Sequence, residues 1–201
     1  MQYFSINGRT FRDQEISSLL ADYYEENNRV SENKNYKQAS VLLLLVSKDD
    51  ETSLLFTRRT ERVLDHKGQV SFPGGARELQ DGDQIETAIR EANEEIGVLP
   101  QQITVLGCLP GMETISHYYI SPIVGWAPWP IDLVINPIEV ERVFLIPLTW
   151  LMARENSYTR RLSIRGAGYD DVLFFKPYEG EVVWGITARI TCSLFQALGL
   201  R

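Results

Sequence analysis

Apolar positions along the chain change period several times, and each period predicts an element. Ile16, Leu19, Leu20 and Tyr23 recur at helical spacing and predict a helix over residues 11–28. The polar stretch from Ser31 to Lys37 reads as a linker. An unbroken apolar run from Val41 to Val46 is strand-sized, and strands are expected near 40–47, 53–59, 102–109, 117–126 and 171–176. A second amphipathic helix is expected over 83–96, with Ile85, Ile89, Ala92 and Ile96 as its apolar stripe. Asp83 followed by Glu86 suits a capping box, and Gly97 suits a C-terminal cap. Short helices are expected near 148–154 and 184–198. Mixed strands with helices between and after them predict an α/β fold, an α/β/α sandwich with a mixed β-sheet between helices. Residues 1–38 are expected to form an N-terminal helix and linker packing on a main domain of residues 39–201.

Composition narrows the class. The 201 residues are 44% hydrophobic and 23% charged, as in ordinary globular proteins. A net charge of −7 argues against nucleic-acid or anionic-membrane binding by bulk electrostatics. An anionic substrate would need local attraction from metal ions and a few basic side chains. Cys108 and Cys192 are the two cysteines, a usage that suits a reducing, cytoplasmic setting. The opening MQYFSINGRTF holds no long apolar run, so neither a signal peptide nor a membrane span is expected, and the final Gly199-Leu200-Arg201 is not a peroxisomal address.

The chemistry concentrates in the 83–96 helix. Glu91, Glu94 and Glu95 stand at i, i+3 and i+4, which places three carboxylates on one helical face, away from the apolar stripe. Like charges so close repel unless a cation sits among them, and hard divalent cations take oxygen ligands and accept phosphate oxygens. The turn Pro73-Gly74-Gly75 precedes the helix, and Arg90 adjoins the cluster. This combination reads as a metal–phosphate platform.

Arg90-Glu91-Ala92-Asn93-Glu94-Glu95-Ile96-Gly97-Val98 resembles the second half of the Nudix box, R-E-U-x-E-E-x-G-U with U apolar. Gly75 matches the box's leading Gly, Asp81 stands where Glu is usual, and eight residues separate Asp81 from Arg90 in place of seven. The coenzyme A diphosphatase subgroup shares that spacing. Its upstream signature, roughly L-L-T-x-R-[SA]-x3-R-x3-G-x3-F-P-G-G, resembles Leu55 to Thr60 and Gly68 to Gly75, and His66 and Gln69 also match. Leu64 stands where the signature has a second Arg, with Arg62 two positions earlier. Val183-Trp184-Gly185-Ile186-Thr187-Ala188 resembles a segment that opens the last helix of the subgroup.

The resemblance implies a Nudix-type sandwich and Mg²⁺ or Mn²⁺ held by Glu91, Glu94 and Glu95, with the Gly75 carbonyl as a further ligand. Arg90 would orient a box carboxylate through charge-assisted hydrogen bonds. The general base varies in position across the family. Glu139 and Glu141 are both candidates here, and Glu139 fits the subgroup's E-V-x-x-V-F pattern better. Of the basic residues Arg58, Arg59, Arg62, Lys67 and Arg77, Arg59 matches the signature Arg and is the expected phosphate contact, with Gly74 and Gly75 beside it. Tyr118, Tyr119 and the Trp126–Trp129 segment would stack a nucleobase or pack the core. His66 and His117 are too sparse for a zinc site.

The implied activity is pyrophosphate hydrolysis of coenzyme A or a derivative to 3',5'-ADP and 4'-phosphopantetheine. Hydrolysis of ADP-ribose, NADH or an oxidised nucleoside triphosphate is the alternative, and a non-catalytic nucleotide-binding module is a third reading. The expected partner is a small nucleotide substrate, with no nucleic acid or membrane, and the expected state is a monomer or homodimer.

Overall fold

The computed structural model describes residues 2–6, 8–28, 35–48, 51–61, 68–164 and 168–200. In chain order the elements are β1 (Tyr3–Ile6), β2 (Arg9–Arg12), α1 (Asp13–Asn27), β3 (Lys37–Lys48), β4 (Glu51–Arg59), β5 (Val70–Ser71) and β6 (Gly74–Ala76). Then come α2 (Gln84–Ile96), β7 (Thr104–Cys108), β8 (Met112–Glu113), β9 (Tyr118–Ala127), β10 (Val140–Pro147), α3 (Leu148–Met152), β11 (Ser157–Ile164), β12 (Gly168–Phe175) and α4 (Gly185–Ala197).

The central sheet has the order β10-β4-β3-β9-β7, with the short strands β5, β6 and β8 paired to β4, β3 and β9. β3 and β9 run parallel, while β4 lies antiparallel to both β3 and β10, so the sheet is mixed as expected. The unbroken apolar run in β3 has a physical cause: both faces of this strand are buried. Leu43 and Leu45 join a core with Ile16 and Leu20 of α1 and Leu194 and Phe195 of α4. Leu42, Leu44 and Val46 join a second core with Ala88, Ala92 and Ile96 of α2. Helices therefore cover both faces, in an α/β/α sandwich. Among the described residues, no helix is long and apolar enough to cross a membrane.

Several elements depart from the sequence reading. The first helix begins at Asp13, because Arg9–Arg12 pair with Tyr3–Ile6 in a hairpin that buries Phe4, Ile6 and Phe11. β10 and β11 carried no clear pattern. A register shift between Val140 and Arg142 breaks the alternation of β10, and β11 is a polar partner of β12 in a two-stranded sheet.

Helix α2 is capped at both ends. Asp83 accepts hydrogen bonds from the Ile85 and Glu86 amides at 2.8 and 2.9 Å. The Glu86 carboxylate accepts from the Gly82 amide at 2.8 Å, not from Asp83 itself, so the capping box is displaced by one residue. Gly97 closes the helix at φ +72°, and a Cβ there would lie 2.7 Å from Val134 Cβ.

Candidate active site

Two distant segments meet over α2. The turn after β5 is anchored by Phe72, stacked on Phe56 at 4.9 Å between ring centroids, and by the Pro73 carbonyl accepting from the Leu42 amide at 2.8 Å. β6 then pairs with β3 so tightly that a Cβ on Gly74, at φ +156°, would lie 2.3 Å from the Ser40 carbonyl oxygen. This approach aims the Gly74 amide at Glu95, to which it donates at 3.2 Å. Arg59, the last residue of β4, donates to the other Glu95 oxygen at 3.1 Å.

The three box glutamates share a helical face but not an environment. Glu95 is 1% exposed, Glu91 is mostly buried, and the Glu94 side chain is 53% exposed. The carboxylate face, expected away from the apolar stripe, is open at Glu94 and covered at Glu95 by the signature turn and β4. Burial pushes the Glu95 carboxyl up to about 7, against the pull of Arg59 and the Gly74 amide and with the push of Glu91 and Glu139. Burial also raises Glu91; Arg90 opposes this, and Glu94 and Glu139 add to it.

Arg90 organises the rest. Its guanidinium donates to both Asp81 oxygens at 2.9 and 3.0 Å, to Glu91 and Glu94 at 3.0 Å each, and to the Ala76 carbonyl at 3.1 Å. Asp81 is buried and also accepts from the Glu78 amide at 2.8 Å and the Thr87 hydroxyl at 3.0 Å. These partners, Arg90 first, hold its carboxyl well below the usual carboxylate range.

Glu139 and Glu141 part company. The Glu139 charge acts on both Glu91 and Glu95, and its carboxylate accepts from Asn136 Nδ2 at 3.2 Å. Glu141 turns to Arg58 at 2.9 Å, and Arg58 also donates to buried Glu181 at 3.1 Å. Arg77 donates to the Asp81 and Gly82 carbonyls at 3.0 and 2.7 Å. Leu64, Arg62, His66 and Lys67 lie outside the described residues. Trp126 packs edge-on against Phe4, and Trp129 packs on the second core, so both serve packing. Asn136 and Glu181 carried no motif that the sequence reading could use, and Thr60 entered it only as a position of the upstream signature.

The NUDIX domain family matches residues 36–164, well over half of the chain. The chain belongs to the Nudix hydrolase family. Over 162 residues it is 37% identical to the protein named "Uncharacterized Nudix hydrolase NudL" of Photorhabdus laumondii, covering 81% of this chain and 85% of that one. Over 200 residues it is 34% identical to the protein of the same name in Yersinia enterocolitica, covering 99% and 98%. A MutT/nudix family protein from Enterococcus faecalis shares the fold, with a TM-score of 0.56 at 13% identity over 94% of this chain and 74% of that chain.

Nudix hydrolases are pyrophosphohydrolases that act on nucleoside diphosphate derivatives, generally with divalent metal ions. The residues of this Nudix hydrolase fit such an ion in chemistry. A Cβ on Gly75 would lie 2.5 Å from the Glu91 carboxyl carbon, so a glycine backbone is packed directly against a carboxylate. Glu91 and Glu95 are held towards protonation by burial and by repulsion from neighbouring carboxylates, a tension that a hard cation relieves. Among the described residues no three acidic, His or Cys side chains converge as they stand, because Arg90 holds Glu91 and Glu94 while Arg59 holds Glu95. Exposed Glu94 has the greatest freedom to swing.

Proposed function

We propose that this Nudix hydrolase cleaves the pyrophosphate bond of coenzyme A or a derivative, releasing 3',5'-ADP and 4'-phosphopantetheine. One observation carries the reading: Arg59 and Gly74, from the two halves of the upstream signature, converge on the same box carboxylate, Glu95. The signature acts as one device with the box.

In this reading Glu91, Glu94 and Glu95, with the Gly75 carbonyl, hold Mg²⁺ or Mn²⁺. When bound, the cation stabilises negative charge on the phosphate oxygens. Arg90 spaces Glu91 and Glu94. The Arg59 side chain is still 23% exposed beside Glu95, which leaves part of its planar fork for a phosphate oxygen. Glu139 accepts the proton of the attacking water as its oxygen bonds to phosphorus and the bridging P–O bond breaks. A cytoplasmic setting belongs to the same reading, since neither Cys108 nor Cys192 is in a disulfide.

The test is turnover on coenzyme A, ADP-ribose, NADH, dinucleoside polyphosphates and nucleoside triphosphates, each with Mg²⁺ and with Mn²⁺. Coenzyme A should give the highest kcat/KM and the two named products. Excess chelator should abolish turnover, and Glu94→Gln should lower it by about 10²-fold. Higher kcat/KM on ADP-ribose or NADH would overturn the coenzyme A assignment.

A further inference from the structure

We infer that Asn136 is a positioning residue that fixes the carboxylate of Glu139 in the frame of the box helix. The inference rests on Glu139 being the base. The loop from β9 to β10 docks on the C-terminal end of α2, where helical carbonyls lack intrahelical partners. The Val134 amide donates to the Ile96 carbonyl and the Asn136 amide to the Glu95 carbonyl, both at 2.9 Å. The backbone of Asn136 is thus bonded to a box glutamate.

The Asn136 side chain then completes the frame. Its Oδ1 accepts from the Ile138 amide at 3.1 Å, and its Nδ2 donates to Glu139 Oε1 at 3.2 Å. The side-chain amide offers an acceptor and a donor on one rigid planar group, and the two partners leave one orientation. The Asn136 carbonyl accepts from the Glu139 and Val140 amides at 3.2 and 2.9 Å. On the far side, Thr60 donates its hydroxyl to the Ile138 carbonyl at 2.7 Å and its amide to the Glu139 carbonyl at 2.9 Å. Thr60 directly follows Arg59, so both residues flanking Glu139's site are tied to elements that grip Glu95. A base held in this way keeps its distance to the reacting water without reorganising.

Asn136→Ser tests this. A serine hydroxyl still accepts locally from a nearby amide, adds no charge, and is too short to reach the Glu139 carboxylate. The expected result is a kcat lowered about tenfold, with KM within about twofold of wild type. In a Glu139→Gln background the same substitution should change kcat by less than about twofold, because the group it positions is gone. Equal losses in both backgrounds would make Asn136 a general structural residue and overturn the inference. Wild-type kcat in Asn136→Ser, with Glu139→Gln crippled, would overturn it while leaving the base in place. Wild-type kcat in Glu139→Gln would remove the base assignment, and the inference with it.

Discussion

The buried Glu95 should make the metal-free protein less stable at alkaline pH than at acidic pH. Its carboxyl is pushed from 4.5 to about 7 in the folded chain. Between those values the folded state holds a proton that the unfolded state has released. Stability is therefore present in full below pH 4.5, declines through the window, and is gone above the folded value of about 7. At 1.36 kcal/mol per pKa unit the loss is about 3 kcal/mol. For a domain of this size that corresponds to roughly 10 °C in Tm. Glu95→Gln keeps the shape, removes the charge and leaves an oxygen for the Gly74 amide. The Arg59 ion pair requires an ionised Glu95, so its pull is already contained in the folded value of about 7 and adds no separate offset. Glu91 shifts in the same direction, so the difference between wild type and variant isolates Glu95. The assay is thermal unfolding in excess chelator from pH 5 to pH 8. The variant should gain on wild type by about 3 kcal/mol across the range, and saturating Mg²⁺ at pH 8 should raise the wild-type Tm more than that of the variant. Parallel Tm curves would refute the reasoning, since a Glu95 charged throughout contributes no pH dependence.

Three further outcomes follow from the same geometry. Arg59→Ala should raise KM for coenzyme A and move the acidic limb of the kcat/KM profile to higher pH, because Arg59 lowers the Glu95 carboxyl; an unchanged limb would separate Arg59 from Glu95 in function. Asp81→Ala removes the buried carboxylate that Arg90 grips with two donors and leaves the Glu78 amide unpaired, while Arg90 keeps Glu91 and Glu94 and Thr87 keeps the Asp83 carbonyl; urea unfolding should show a loss of about 2–3 kcal/mol. Gly75→Ala drives a methyl into the Glu91 carboxylate, 2.5 Å away, so Mg²⁺ affinity measured by calorimetry should fall about tenfold or more while the far-UV spectrum stays that of wild type.

The box helix was legible because its signals are local. The spacing of Ile85, Ile89, Ala92 and Ile96, the Asp83 cap, the Gly97 stop and the acidic triad all lie within about four turns of one chain segment. The burial of β3 on both faces was likewise written in its unbroken apolar run. The different environments of Glu91, Glu94 and Glu95 were not legible, because helical spacing makes them equivalent. Only Arg59 and Gly74, brought in by β4 and by the tight β3–β6 pairing, bury Glu95 and leave Glu94 in solvent. The different surroundings of Glu139 and Glu141 follow the same logic. Two residues apart in sequence, they diverge because the loop docked on the end of α2 directs one towards the box, while Arg58, drawn to Glu181 before the last helix, captures the other. Propensity, capping and charge spacing act within a few residues and can be read along the chain. Desolvation and ion pairing act between whatever the fold brings together, and here they decide which carboxylates are buried, which meet an arginine and which stay in water.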